Sequence, residues 1–302
     1  MTLLDRQSKI GFIGAGRIAG HLAASFIENG YTVAAISSKN DVSAKALARE
    51  LPSITPQTSN QNVVNECDVI FVTVPDDAIA STVTALSWSK EHGVVHCSGA
   101  RTLECLEGAA SQGAMVASFH PLQTFPSSIE PVMRLEGVGF AMTGDPRLVN
   151  WLQGIVASVG GIKLSISDDV RSLYHASAVM VCGYMITLLQ HSLKLWEQLG
   201  VATEDALRAL IPLMRTTIDN VEKHGVQRAV TGPIARGDIS TVEGHLESLQ
   251  AIDGDLLEFY AFLGKHTVRC NDIDVEVSGE LKQRVADLLC AHLKSTGQSI
   301  QV

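Results

Sequence analysis

The sequence has few positive charges. Its 302 residues include 23 lysines and arginines against 32 aspartates and glutamates, which gives a formal net charge of −9 at pH 7. A protein that binds nucleic acid non-specifically needs a basic surface to neutralise phosphates. We therefore expect no nucleic-acid partner; the net charge does not exclude a small basic pocket for an anionic ligand.

The sequence also lacks the common signatures of metal sites and catalytic nucleophiles. Its 6 cysteines form no CxxC pair, and neither an HExxH nor a G-x-S-x-G sequence occurs. Zinc sites and serine hydrolases carry such spacings because their ligands or catalytic groups must converge on one point. We expect no metal, and free thiols buried in a reducing compartment.

Long hydrophobic segments are absent as well. Residues 1–9 have no signal-peptide core. The longest apolar run, 176–189, is shorter than the ~20 residues that a membrane span needs. The run is therefore interpreted as a buried helix, and we expect a cytoplasmic protein without membrane contact.

Short apolar segments alternate with helical patterns in the first half of the chain. Strands that are apolar throughout and separated by helices are typical of a parallel sheet covered on both faces. After Ser167 only helical periods follow. The sequence therefore predicts an α/β fold, with a doubly wound parallel sheet over residues 1–167 and an all-helical domain over 168–302. The predicted strands cover residues 9–13, 32–36, 68–74, 93–97, 115–119, 137–142 and 162–166, and the predicted C-terminal helices cover 168–199, 204–223, 241–251, 255–266 and 278–293.

A glycine-rich turn follows the first predicted strand and opens a helix. It has the form G-x-G-x-x-A, in which the first glycine allows a tight turn and the second lets the backbone approach a diphosphate. The amino end of the helix then favours the anion. This context predicts dinucleotide binding by Gly14, Ala15, Gly16, Arg17 and Ile18.

The end of the second strand carries Ser37, Ser38, Lys39 and Asn40. Sites that prefer NAD place a carboxylate here to accept a hydrogen bond from the ribose 2′-hydroxyl. No carboxylate occurs in this run, two hydroxyls can donate to a 2′-phosphate, and Lys39 adds a positive charge. The run favours NADP, as NADPH, over NAD.

Loops after later strands carry further candidates, because ligands of an open parallel sheet lie over the carboxyl ends of its strands. His120 stands at one such strand end and is either a substrate-loop residue or part of a packed turn. The dinucleotide is expected to run past Val74, Pro75, Asp76, Ile79, Ser98 and Gly99, and the substrate past Gln123 and Thr124.

Two positions in the helical half complete the candidate site. His175 begins a long apolar helix beside small residues, where it is either a core histidine or a catalytic one. Arg236 lies in a loop with Asp238, either paired with it beside a helix cap or aimed at a substrate carboxylate, which the guanidinium fork matches.

Five segments of the sequence together match the pattern of a known family. They are residues 11–17, 74–79, 119–125, 174–179 and 231–238, and they occur in the family's order. The chain resembles the oxidoreductase-like family that joins a Rossmann-like domain to a helical domain of unknown function 2520, within the 6-phosphogluconate dehydrogenase-type superfamily. That likeness implies NADP binding, a cleft between two domains and a homodimer formed through the helical domain. Several relatives place a lysine early in the first C-terminal helix as general acid, where this chain has Tyr174 and His175.

These observations predict a reductase. Hydride passes from NADPH to the carbonyl of a small anionic 2-oxo acid, as in ketopantoate reductase. A histidine with a pKa near neutral suits the proton-donor role; we expect His175 in it first and His120 second, with Arg236 holding the carboxylate and Asp238 orienting Arg236. Reduction of a cyclic imine, oxidation of a prephenate-like substrate and a non-catalytic NADPH sensor are the alternatives.

Overall fold

An eight-stranded sheet organises the first of two units into which the chain divides, Met1–Met185 and Ile186–Val302. The computed structural model describes residues 4–127, 133–270 and 279–295. The strand order is β3-β2-β1-β4-β5-β6-β7-β8. The strands are β1 (Ile10–Ile13), β2 (Val33–Ser37), β3 (Thr55–Pro56), β4 (Val69–Val72), β5 (Gly93–His96), β6 (Met115–Pro121), β7 (Gly139–Gly144) and β8 (Ile162–Ser165).

The order reverses at β1, whose neighbours are β2 on one side and β4 on the other. A crevice forms at such a switch point, above the carboxyl ends of the two central strands. The predicted doubly wound sheet is confirmed. All residues of β1, β4 and β5 are buried, as expected of strands covered on both faces.

One part of the sheet differs from the prediction. β7 pairs antiparallel with β6, and β8 runs parallel to β7, so the sheet is mostly rather than entirely parallel. The described part of the connection between β6 and β7 contains no helix. Without a crossover helix the chain returns beside β6 in the opposite direction.

Helices cover both faces of the sheet, and each face has its own core. One face carries an aromatic cluster in which Phe71 contacts Phe12, Phe26 and Phe119. The other is aliphatic, with Val63, Ile70, Val94 and Leu106 buried in it. The helices are α1 (Arg17–Glu28), α2 (Asp41–Glu50), α3 (Asn60–Glu66), α4 (Ile79–Thr84), α5 (Glu107–Ala110) and α6 (Pro146–Ser158).

Helices joined by short loops make up the rest of the described chain, and the C-terminal unit has a small core of its own, with Val242, Leu246, Leu257, Val285 and Leu289 buried. The helices are α7 (Arg171–Gln198), α8 (Thr203–His224), α9 (Val226–Ala229), α10 (Pro233–Arg236), α11 (Ile239–Gln250), α12 (Gly254–Cys270) and α13 (Gly279–Ser295). The predicted start of the last helix, Ser278, lies outside the described residues.

The expectation of a buried helix over 176–189 is wrong. In this single chain α7 buries only Arg171, and apolar side chains along it are exposed, such as Leu173 at 73% and Val181 at 72%. By length and composition alone, one helix of the described residues, Asp168–Gln198, is suited to crossing a membrane. The sequence pattern could not show burial, because this helix is apolar on all sides.

Candidate active site

The phosphate loop has the geometry that the glycine pattern predicts. Gly14 follows β1 with φ +108°, and a Cβ there would lie 2.7 Å from backbone atoms of Thr73. Gly16 is the N-cap of α1, and no side chain caps this end of the helix. A Cβ on Gly16 would meet no atom within 4 Å. The first turn of α1 therefore opens onto free space, as a diphosphate site requires.

The neighbouring loop residues act mainly through their backbone. Ala15 and Ile18 pack against the aromatic core. The Nη1 atom of Arg17 lies 3.5 Å from the carbonyl oxygen of Phe125, at the limit of a hydrogen bond. These contacts fix the loop in place. The amide of Gly14 donates to the carbonyl oxygen of Ser37 at 2.8 Å, so a ligand would bind the amides of the first turn of α1 that follow it.

The end of β2 meets the expectation only in part. Ser37 is buried, and its hydroxyl donates to Oδ1 of Asn60 at 2.8 Å. A role for this hydroxyl toward a 2′-phosphate does not fit that placement. Lys39 is exposed and Ser38 half-buried, while Asn40 caps α2 by accepting from the amide of Val42 at 3.0 Å.

The loops after β4 and β5 are joined by a short hydrogen bond. Ser98 Oγ donates to Oδ2 of Asp76 at 2.6 Å and accepts from the amides of Ala100 and Arg101. Asp76 and Pro75 are exposed and Val74 is half-buried. Ile79 does not fit its predicted cofactor contact, because its side chain is buried in the aliphatic core.

Gly99 brings the two candidate histidines together. A Cβ at this position would lie 2.8 Å from His120 Nε2 and 2.7 Å from His175 Cδ2. The two imidazole rings are nearly perpendicular, with centroids 6.3 Å apart. The absent side chain of Gly99 thus allows both rings to approach the loop after β5.

Tyr174 is a functional candidate that the sequence analysis did not select. Its hydroxyl lies 2.8 Å from Nδ1 of His120, and the two rings meet edge to face. Burial, with the positive charges of Arg171 and His175, lowers the pKa of His120 to about 4, against an opposing effect of Asp76. His120 is therefore neutral at pH 7, and the expectation of a near-neutral pKa does not hold for it.

Two further buried polar residues lie beside this cluster. Arg171 is fully buried at the start of α7, and His96 is fully buried at the end of β5. Neither ring nitrogen of His96 has a hydrogen-bond partner. Burial, together with Arg171 and His120, lowers the pKa of His96 to about 3. The sequence signal for His96 was a polar residue at the end of an otherwise apolar strand, whereas Arg171 stands among polar residues and gave no such signal.

The predicted substrate residues fall in two places. Gln123 and Thr124 are exposed in the loop after β6, where Thr124 donates its amide to Oε1 of Gln123. Arg236 and Asp238 belong to the C-terminal unit. Arg236 is exposed, and Asp238 caps α11 by accepting from the amide and hydroxyl of Thr241.

The described residues offer little for metal or thiol chemistry. They contain no group of three or more potential ligands, although His92 stands directly before β5 and His96, four residues later, ends it. Burial raises the pKa of Cys67 to about 12 and that of Cys105 to about 11, so neither is a thiolate at neutral pH. Cys182 is exposed, contrary to the expectation of buried thiols throughout.

Two families match successive parts of the chain. Residues 9–99 match the family described as NADP oxidoreductase, coenzyme F420-dependent. Residues 138–267 match the domain of unknown function DUF2520. The second match begins before β7, so it includes the end of the sheet as well as helices α6–α12.

Solved structures share the fold along nearly the whole chain. A Bacteroides fragilis protein described as an NADP oxidoreductase is 22% identical with a TM-score of 0.72, covering 86% of this chain and 98% of that one. A 1-pyrroline-5-carboxylate reductase from Streptococcus pyogenes is 15% identical with a TM-score of 0.60, covering 96% and 100%.

A reductive aminase from Aspergillus terreus, solved with NADPH and ethyl-5-oxohexanoate, is 13% identical with a TM-score of 0.60, covering 97% of each chain. At these identities the structures show a common fold. The two family matches make the chain an NAD(P)-dependent oxidoreductase that joins an NADP oxidoreductase segment, residues 9–99, to a DUF2520 segment, residues 138–267.

Proposed function

We propose that the protein reduces the carbonyl group of a small 2-oxo acid with NADPH. The observation that carries the proposal is the hydrogen bond between Tyr174 and His120 beside Gly99. It places a group that can give up a proton next to a loop at the carboxyl end of the sheet. Dinucleotide-dependent enzymes of this architecture bind their ligands at that edge.

The residues that would hold the dinucleotide fit it in charge and space. The uncapped first turn of α1 provides amides for the diphosphate, and the missing side chain of Gly16 provides room. Lys39 and Ser38 supply a positive charge and a hydroxyl for a 2′-phosphate, which favours NADPH. When bound, NADPH supplies the hydride. Replacing Lys39 with Glu is expected to weaken NADPH binding and leave NADH binding unchanged or tighter; equal losses for both would contradict the preference.

The Tyr174–His120 pair supplies the proton that a carbonyl oxygen needs as hydride reaches its carbon. Because His120 is neutral at pH 7, only one of its ring nitrogens carries a hydrogen. In the proposed Nε2–H tautomer, Nδ1 accepts the hydrogen of Tyr174 and Nε2–H lies toward Gly99. Transfer from Nε2 to the substrate oxygen, with transfer from Tyr174 to Nδ1, leaves a neutral imidazole and a phenolate. An alkoxide is far more basic than a phenolate, so the transfer is favourable. His175 is the alternative donor.

An anionic substrate is supported by the remaining candidates. Arg236 is exposed and can pair with a carboxylate through two parallel hydrogen bonds. Gln123 and Thr124, in the loop that follows His120, add exposed polar groups. Replacing Arg236 with Gln is expected to raise the KM of a 2-oxo acid much more than that of the matching ketone without a carboxylate.

Reduction of a C=N bond is the second candidate. Proteins with the same fold include a 1-pyrroline-5-carboxylate reductase and a reductive aminase. An iminium carbon already accepts hydride without proton transfer to its nitrogen, so a neutral His120 is no obstacle to that reaction. Tyr174 would then be dispensable.

A parallel assay of three substrates with purified protein tests the proposal. NADPH consumption is measured with a branched 2-oxo acid and with a cyclic imine carboxylate, and NADP reduction is measured with prephenate. Turnover of the 2-oxo acid alone is expected. Preferential turnover of the imine or of prephenate would replace the proposal with that activity, and tight NADPH binding without any turnover would indicate a sensor.

We further propose that a second copy of this chain covers α7. The helix is apolar on all sides, and such helices are stable in water only when covered. Its first residues are tied to the sheet through Arg171 and Tyr174, which argues against insertion of this helix into a membrane. Covering by a second copy gives the homodimer that the sequence analysis expects.

Light scattering of the purified protein measures the mass directly. The wild type is expected at twice 32.3 kDa, and Val181→Asp is expected to produce monomer. Val226→Asp provides the matched control, because Val226 on α9 is equally exposed, 71% against 72%. A monomeric wild type, or wild-type protein that binds lipid vesicles, would contradict the dimer.

A further inference from the structure

Arg171 is the largest fully buried side chain in the described residues. Its Nη1 donates to Ser118 Oγ at 2.7 Å, and its Nη2 donates to the carbonyl oxygen of Ser98 at 2.9 Å. Among the described residues, no ion pair within 4.0 Å includes it. Burying a charge without a paired carboxylate is costly, and an apolar side chain of similar size would avoid that cost.

The two hydrogen bonds of Arg171 end on the elements that carry the proposed site. Ser98 precedes Gly99, which contacts both imidazoles. Ser118 stands two residues before His120 on β6, so the two side chains point to the same face of the sheet. Arg171 therefore connects the loop after β5 and the strand of His120 to the beginning of α7.

The same helix carries the other half of the site. Tyr174 and His175 follow Arg171 by three and four residues, which places all three on one side of α7. A shift of Arg171 would move the Tyr174 hydroxyl along with the first turn of the helix. The 2.8 Å contact between Tyr174 and His120 thus depends on where the guanidinium is held.

We propose that Arg171 is a positioning residue of the proposed reduction, which fixes the direction of the hydrogen bond from Tyr174 to His120. It does so in two ways. Its hydrogen bonds set the distance between α7 and β6, and its positive charge opposes a second positive charge on the His120 ring. This inference rests on the proposed function for its kinetic consequence but not for its structural one.

The direction of the hydrogen bond depends on which nitrogens of the ring carry hydrogen. The Nε2–H tautomer of neutral His120 accepts from Tyr174 at Nδ1 and presents Nε2–H toward Gly99, whereas the Nδ1–H tautomer or a protonated ring would donate from Nδ1 and reverse the bond. The groups that act on His120 are Arg171 and His175 on α7, and Asp76 after β4. Tyr174 is its hydrogen-bond partner, and His96 on β5 is a further titratable neighbour. Burial and Arg171 both favour the neutral ring, and Asp76 alone opposes them.

The NMR signals of the imidazole nitrogens, recorded on the full-length, ligand-free protein, test the effect of Arg171 on the His120 ring. In the wild type we expect His120 to be the Nε2–H tautomer and to titrate near pH 4. Arg171→Met is expected to raise the titration midpoint of His120 by about one pH unit or more. The variant is also expected to populate both the Nδ1–H and the Nε2–H tautomer of this ring. Arg147→Met removes an exposed arginine from the same unit and is expected to change neither. An unchanged midpoint and tautomer in Arg171→Met would overturn the proposal.

Arg171→Lys distinguishes the effect of the positive charge at position 171 from the effect of its two hydrogen bonds. It also provides a test if Arg171→Met does not fold. Lysine keeps the positive charge but lacks the planar fork that reaches two acceptors. We expect His120 to stay neutral near pH 5 while kcat falls at least about tenfold with little change in NADPH affinity. Wild-type kcat in a folded Arg171→Lys variant would overturn the positioning role. If no substrate is turned over, the proposed function fails, whereas the nitrogen signals still decide the role of Arg171.

Discussion

The hydroxyl oxygen of Tyr174 lies 2.8 Å from Nδ1 of His120, which joins the first turns of α7 to the end of β6. The opposite ring nitrogen of His120 borders Gly99. A chain of two exchangeable hydrogens therefore leads from the helix to the carboxyl end of the sheet. In the proposed reduction of a carbonyl, these two hydrogens provide the proton.

Replacing Tyr174 with Phe removes one hydrogen of that chain and little else. Turnover of a 2-oxo acid is expected to fall by about 10²–10⁴-fold, because the substrate oxygen loses its proton source. NADPH affinity is expected to stay the same. Steady-state kinetics with a 2-oxo acid and a cyclic imine measure the effect; an equal loss with both substrates would contradict a proton-donor role.

Replacing Gly99 with Ala places a methyl group against both imidazoles. The contacts of 2.7 and 2.8 Å are shorter than real Cβ atoms show, and the rings can turn away at low cost to the fold. We expect kcat to fall by at least about tenfold with an unfolding temperature near that of the wild type. Gly244→Ala is the control, since a Cβ there meets no atom within 4 Å.

A wild-type kcat in Gly99→Ala would show that neither His120 nor His175 takes part in the reaction beside this loop. A crystal structure of the variant distinguishes the cause of a loss, since the account expects displaced imidazoles and an unchanged strand β5. Displacement of the backbone instead would assign the loss to the sheet.

His96 makes stability depend on pH in a defined direction. Its pKa is lowered from 6.5 to about 3 in the folded protein, mainly by burial. Between these values the unfolded chain binds a proton that the folded protein does not. The free energy of unfolding is therefore expected to fall as pH falls from about 6.5 toward 3, and His120 adds to this between about 6.5 and 4.

Urea unfolding of His96→Leu at pH 5, 6 and 7 isolates the contribution of His96. At pH 5 the wild type is expected to lose about 1.4 kcal/mol more per pH unit than the variant, which corresponds to one proton. His224→Leu, at an exposed position, is expected to keep the wild-type slope. Equal slopes for wild type and His96→Leu would show that His96 is protonated in the folded protein.

Local patterns predicted much of the fold. The alternation of apolar strands and helices predicted the doubly wound sheet and the helical segment after it. β3 was missed because two residues, Thr55–Pro56, carry no periodicity. The antiparallel pairing of β7 was missed because strand direction depends on the connection and not on the strand itself.

The candidate site was only partly predictable for a related reason. Strand-end residues such as Gly99 and His120 follow from where ligands bind a parallel sheet. Tyr174 and Arg171 were missed because their importance depends on where α7 docks, which no local pattern contains. Ser37 and Ile79 were assigned to the cofactor from their positions, but their side chains point into the fold.

The central claim is that the open first turn of α1 binds the diphosphate of NADPH. Calorimetric titration of wild type and Gly16→Ala with NADPH tests it most directly, because a Cβ on Gly16 meets no atom of the free protein and should not affect its stability. The account predicts a stoichiometric complex with the wild type and at least about tenfold weaker binding, or about 1.4 kcal/mol, for the variant. A wild type that binds neither NADPH nor NADH, or a Gly16→Ala variant that binds as tightly as the wild type, would contradict it.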